Sequence, residues 1–382
     1  FLIWIIAAIF AVNSAMCVKR LLFSEETLST LSGQYTKTLL NAYPRGTIYD
    51  VNGIPFNNRS DSDLGFFKIS SGQGSDVAAC VIGETEQISG DTTSKGLFGT
   101  TGIQNAYDEY LRGGTPVKVS AYVDAEGAVV ENSEYYVSND HVNEGCDIYT
   151  SIDYNLQKSI ERILQKEVEE KGYTEATAVL TRVTDGNILA MASCGSQMNL
   201  AVLSFQPGSI MKIITAAVAF ERKTADENTV YDCTGSVKVG DEERSCMNGE
   251  VHGKITIAEA FAESCNCCFY DLAQKLTYTD ENGATRSYVL DKAKEWGFGE
   301  YGAPSKNRFA LEYDDYYSFV CSDIFNEMDL FNCAIGQGKI QASPYLINKI
   351  TAAIAAGGKC TEAHIVNDIK DAAGNSVQFK KA

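Results

Sequence analysis

Histidine is nearly missing. The 382 residues hold three of them, which leaves little room for histidine-based metal chemistry. Positive charge is scarce too: 32 lysines and arginines stand against 50 aspartates and glutamates. The resulting net charge of −18 repels phosphate backbones and argues against nucleic acid as a partner. No internal repeat or low-complexity tract occurs, which excludes solenoids and repeat arrays. What remains is an ordinary globular composition, 45% hydrophobic and long enough for two or three domains at ~150 residues each.

The chain opens on an uncharged run, FLIWIIAAIFAVNSAMCV. As a helix it spans about 27 Å of a ~30 Å hydrocarbon layer. It is also longer than the ~7–15 apolar residues of a cleaved signal peptide. Residues 1–18 are therefore read as a transmembrane anchor that starts before Phe1. Lys19 and Arg20 alone would place its C-terminal side in the cytoplasm.

Residues 19–149 read as a polar stalk and a small β-rich module. In YPRGTIYDVNGIPF, Asn52-Gly53 between two apolar runs predicts a tight turn. The pattern changes near 150. Asp153 can cap a helix with Leu156, Ile160, Ile163 and Leu164 at helical spacing. ATAVLTRV, TDGN and ILAMASC then predict a hairpin, and Pro207-Gly208 precede a strongly apolar helix from about Ser209. Residues 150–382 thus read as an α+β domain, helices packed on an antiparallel sheet.

Ser209 and Lys212 stand three apart, so both leave one face of that helix's first turn. A serine hydroxyl needs a base to become a nucleophile, and a lysine amine can serve if burial pushes it towards neutrality. The helix N-terminus also offers N–H groups to a developing oxyanion. No other serine here has a lysine three positions on.

With Ser209-Ile-Met-Lys212 and a downstream Ser264-Cys265-Asn266, the chain resembles the penicillin-binding proteins. RGTIYDVNG (45–53) and GIQNAYDEYLRG (102–113) resemble signatures of that family's N-terminal pedestal. TSIDYNLQ (150–157) resembles the start of its transpeptidase domain. HGKITIAEAFAESCN (252–266), WGFG (296–299) and AIGQGKIQASP (334–344) follow in the family's order. The likeness is nearest to the monofunctional class B enzymes of elongation, division or sporulation.

The resemblance implies a serine β-lactamase/transpeptidase-like fold behind a pedestal, a single-pass membrane protein with its catalytic domain outside the cytoplasm, and no cofactor. It implies that Ser209 attacks a stem peptide ending in D-Ala-D-Ala and Lys212 is the base. Ser264 would pass the proton on, and Asn266 would hold Lys212 and the substrate amide. β-Lactams and a membrane glycan polymerase are the implied partners. A serine β-lactamase or penicillin-sensing receptor of the same superfamily, or an inactive cell-wall scaffold, remain alternatives.

Three departures from the family pattern stand out. No Lys-Thr-Gly occurs, which implies that this motif follows Ala382; Lys359-Cys360-Thr361 lacks its glycine. The linker GSQMNLAVLSFQ before Ser209 is short for the family, and Gln104 stands where glutamate is commoner.

Twelve cysteines are many. Cys233 and Cys246 flank a hairpin-like stretch that a disulfide could close, with two free thiols the alternative. In SCNCCF, Cys267 and Cys268 are adjacent and would point to different sides of a helix, so packing is expected and no metal site. His252 reads as a packing or capping residue. Glu242, Glu243, Asp314 and Asp315 read as solvated surface.

Overall fold

The computed structural model describes residues 10–19, 36–42, 45–56, 76–87, 97–112, 117–122, 135–138, 145–239, 241–300, 318–320 and 326–379. Of the apolar N-terminal run, residues 10–19 are helical and exposed, and 1–9 lie outside the described residues. Among the described residues, no helix is long and apolar enough to cross a membrane. Most of the expected stalk and the pair Asp314 and Asp315 also lie outside them.

The N-terminal part contains an antiparallel sheet with Val117–Tyr122 between Thr36–Ala42 and Tyr135–Ser138. A second sheet spans the 149/150 boundary suggested by the sequence. Its central strand Asp147–Thr150 runs parallel to Ile48–Tyr49 and antiparallel to Val366–Lys370, burying Ile48, Ile148, Val366 and Ile369. The Asn52-Gly53 turn forms as predicted. The Asp50 carboxylate accepts from the Asn52 and Ile54 N–H groups, and Gly53 takes a φ of 82° that suits glycine.

The two pedestal signatures meet at the buried Arg45. Its guanidinium donates to the Gln104 side chain (2.8 Å), the Gln104 carbonyl (2.8 Å) and the Asp108 carboxylate (2.6 Å). A buried charge needs such a full set of acceptors. Gln104 therefore supplies two neutral acceptors, and Asp108 supplies an opposite charge.

The Asp153 carboxylate caps helix Tyr154–Lys171 by accepting from the Asn155 and Leu156 N–H groups. The hairpin predicted after it pairs Ala176–Thr181 with Ile188–Cys194. The apolar stripe fits less well: Leu156, Ile160 and Leu164 are half-buried and Ile163 is exposed, while Gln157 is fully buried. Its amide accepts from Met191 N (2.8 Å) and donates to Met191 O (2.9 Å), so the side chain stands where a neighbouring strand would. Hydrophobic periodicity cannot register that exchange.

Behind the hairpin, helix Lys212–Glu221 buries Ile214, Thr215, Ala216, Val218 and Ala219 against helices Asn266–Lys275 and Glu327–Ala334. Thr215 Oγ1 donates to Ala334 O, locking two of these helices together. The described part of this region is thus an α+β arrangement of a hairpin and packed helices.

Candidate active site

Helix Lys212–Glu221 is entered through a 3-10 turn, Gly208–Met211, which carries Ser209. The AIGQGKIQASP stretch holds that turn in place. Gly208 N donates to Gly336 O at 2.8 Å, and Phe205 and Ala342 exchange backbone hydrogen bonds at 2.8 and 3.0 Å. Gly336 has a φ of 75°, and a Cβ there would collide with the Gly208 backbone. Glycine is what lets this segment touch the turn that carries Ser209.

Ser264 and Asn266 arrive on a turn between helices Ile257–Ala262 and Asn266–Lys275. Thr256 and Glu259 form a reciprocal capping box that fixes the start of the first helix. Its end is closed by Cys265 N donating to Ala260 O (2.8 Å). This closure puts Ser264 at a φ of 54°, the left-handed region that usually takes glycine. A residue with a Cβ pays ~1 kcal/mol or more for it. In return, the Ser264 carbonyl and hydroxyl both face Lys212.

Lys212 is 1% exposed and sits at the centre. Its Nζ lies within hydrogen-bonding distance of Ser264 O (2.7 Å), Asn266 Oδ1 (2.7 Å), Ser264 Oγ (3.0 Å) and Ser209 Oγ (3.2 Å), and 5.5 Å from the centre of the Phe269 ring. These partners are neutral oxygens. Burial pulls the amine from its ordinary 10.5 down to about 8, against an opposing pull from neighbouring Cys265 and Cys246.

The hydrogen-bond geometry orients the neutral amine. Ser264 O and Asn266 Oδ1 can only accept, so they take its two N–H bonds. The lone pair then faces the two hydroxyls, which can donate. Ser209 and Ser264 are exposed and Asn266 is half-buried, so the Lys212 amine is buried while the two hydroxyl-bearing residues reach solvent. The structure thereby brings together Ser209, Lys212, Ser264 and Asn266.

A groove of about 480 Å³, lined by strand Ala176–Val179 with Phe205, Pro207 and Ile210, runs up to the residues flanking Ser209. Another cavity, of about 980 Å³, does not touch these four residues. It lies where the linker residues Ser196–Asn199 face the pedestal residues Thr100–Gly102.

The cysteines gather into a group that their spacing in the sequence does not show. Cys233 and Cys246 do meet, with sulfurs 3.8 Å apart, but as two thiols without a bond. Cys265 and His252 crowd into the same place, so the pair is part of a larger group. His252 neither caps nor merely packs: its Nδ1 is 3.4 Å from Cys233 Sγ. The spacing hid this group, because its members are spread over residues 233–265 instead of forming two short pairs. Cys267 and Cys268 are buried, as helix packing predicts.

Several known proteins resemble this chain. The family described as the penicillin binding protein transpeptidase domain matches residues 176–382. Stage V sporulation protein D of Bacillus subtilis (strain 168) is 28% identical over 222 residues, covering 53% of this chain and 32% of that protein. The peptidoglycan D,D-transpeptidase FtsI of Buchnera aphidicola subsp. Schizaphis graminum is 30% identical over 148 residues, covering 35% and 25%. The chain spans between 25% and 37% of the length of these and two further curated relatives it matches. A crystal structure of penicillin binding protein 3 from Mycobacterium tuberculosis complexed with ampicillin superposes with a TM-score of 0.62 at 20% identity, covering 91% of this chain and 70% of that one. That likeness establishes the fold. The matched family covers more than half of the residues and contains the whole Ser209, Lys212, Ser264 and Asn266 cluster, so the chain belongs to the penicillin-binding protein transpeptidase family.

Proposed function

We propose that the full-length protein is a class B peptidoglycan D,D-transpeptidase acting through an acyl-enzyme on Ser209. The observation that carries this reading is the placement of Lys212 Nζ, buried among neutral acceptors and 3.2 Å from Ser209 Oγ. A base at that distance, with its affinity for protons lowered by burial, can take the hydroxyl proton as the oxygen attacks.

The acyl donor is a stem peptide ending in D-Ala-D-Ala. Ser209 Oγ attacks the penultimate D-Ala carbonyl, its proton passing to Lys212. Ser264 Oγ, 3.0 Å from the same nitrogen, relays a proton to the departing D-Ala amine. The acyl group then rests on Ser209 as an ester. An amine from a neighbouring stem peptide attacks that ester, forms the cross-link and returns the proton to Ser209. Asn266, bonded to Lys212 at 2.7 Å, holds the base and hydrogen-bonds the substrate amide. A β-lactam presents a similar strained amide to Ser209 and acylates it.

The proposal includes membrane attachment through the uncharged run 1–18, a catalytic domain outside the cytoplasm and a membrane glycan polymerase that supplies strands. Reconstitution of the full-length protein with lipid-linked substrate and a polymerase tests it. The expected result is cross-linked product with release of D-Ala, lost in Ser209→Ala. Rapid turnover of a β-lactam without cross-linking would instead point to a hydrolase, and polymer without cross-links to a scaffold.

A further inference from the structure

Four side chains from separate segments converge behind the Ser264 turn. Cys233 ends strand Val230–Cys233, and Cys246 follows strand Glu242–Ser245. His252 precedes strand Gly253–Thr256, and Cys265 lies between the two helices. Their potential ligand atoms all lie within 4.8 Å of one another, the three sulfurs are buried and His252 is half-buried.

The spacings fit a tetrahedron. The sulfur pairs 233–246 and 246–265 are 3.8 and 3.7 Å apart, and Cys233 Sγ is 3.4 Å from His252 Nδ1. A tetrahedral zinc ion with bonds of ~2.3 Å to sulfur and ~2.0 Å to nitrogen sets those edges at about 3.8 and 3.5 Å. A disulfide needs sulfurs ~2.05 Å apart and can use only two of the three. Plain packing of small apolar thiols would not bring an imidazole nitrogen into the group.

The surroundings suit thiolates and a metal-bound imidazole. Cys265 caps helix Asn266–Lys275, and its sulfur accepts from Cys268 N at 3.5 Å, at the helix end that favours negative charge. On the far side of the imidazole, the Glu250 carboxylate lies 3.9 Å from His252 Nε2, placed to orient the ring. Three soft sulfurs and one imidazole, buried, select zinc among abundant cations.

We propose that Cys233, Cys246, His252 and Cys265 form a tetrahedral zinc site that braces the turn carrying Ser264 and Asn266. Binding forms three Zn–S bonds and one Zn–N bond and releases the three thiol protons to solvent, with no change of oxidation state. Cys265 is covalently between the two residues that accept from Lys212. Fixing its sulfur to the strand end at 233 and the loop 246–252 opposes relaxation of the left-handed Ser264.

The test uses the full-length protein purified under reducing conditions without chelator. Elemental analysis should give about one zinc per chain. Replacement by Co²⁺ should give an intense thiolate-to-cobalt charge-transfer band with visible tetrahedral d–d bands. Cys246→Ser and His252→Ala should lose most of the metal. Cys267→Ala should keep it, although that thiol is 3.4 Å from Cys246. If the ligand variants fail to fold, the wild-type cobalt spectrum decides by itself, and an absent or non-tetrahedral spectrum overturns the site. A Cys233–Cys246 disulfide in the intact mass, with no uptake of added Zn²⁺ before oxidation, also overturns it. Stripping the zinc should slow penicillin acylation roughly tenfold or more and restoring it should recover the rate, as expected when a reacting group is displaced. Unchanged acylation in the stripped protein overturns the bracing role.

Discussion

Acylation of Ser209 should follow the deprotonation of Lys212, with its pH set by the burial of the amine. The ordinary lysine value of 10.5 falls to about 8 because burial strips the ammonium of water, and this outweighs the opposing pull of the neighbouring cysteines. At pH 7 about 9% of such a group is neutral, against about 0.03% of an unperturbed lysine, so burial raises the base-competent fraction roughly 300-fold. The neutral fraction grows with pH, so the acylation rate must rise. Stopped-flow acylation by a fluorescent penicillin should climb close to tenfold per pH unit from about 6 to 7.5 and flatten above about 8.5. Lys212→Arg should abolish the reaction across this range, because a guanidinium does not give up its proton. Asn266→Asp should move the inflexion upwards by about a unit or more, since a carboxylate 2.7 Å from the nitrogen favours the charged form. A rate flat between pH 6 and 9, or an inflexion near 10.5, would refute the assignment of Lys212 as base.

Three further substitutions test how the site is built. Ser264→Gly removes the Cβ from a left-handed position, so thermal unfolding should show unchanged or higher stability, by up to ~1 kcal/mol, while acylation falls sharply through loss of the hydroxyl. Gly336→Ala drives a methyl group into the Gly208 backbone, and both the melting temperature and the acylation rate should fall, the latter by roughly a hundredfold. Asp153→Ala removes two N–H contacts at the start of helix Tyr154–Lys171 and should cost ~1 kcal/mol in denaturant unfolding with little effect on acylation of the folded protein.

Much of the local structure was legible because local chemistry determines it. Asp153 caps its helix, TDGN turns its hairpin and Asn52-Gly53 turns the pedestal, each through neighbouring backbone groups that any reader of the sequence can count. Ser209 and Lys212 were visible because three residues is one helical turn. Ser264 and Asn266, 52 and 54 residues beyond Lys212, could be attached to that pair only through the family resemblance. The thiol–imidazole group is not legible in the sequence for a related reason. Cys233, Cys246, His252 and Cys265 come from a strand end, a hairpin end, a loop and a helix cap, and only tertiary folding brings them within 4.8 Å. Gln157 shows the complementary limit: a buried side chain that serves as backbone for Met191 looks polar in any hydrophobic pattern.

The most direct test of the central claim is to treat the full-length protein with a labelled penicillin, digest it and map the adduct. One covalent ester is expected, on Ser209, absent from Ser209→Ala and from Lys212→Arg although both variants remain folded. An adduct on another residue, or one that survives Ser209→Ala, would contradict it.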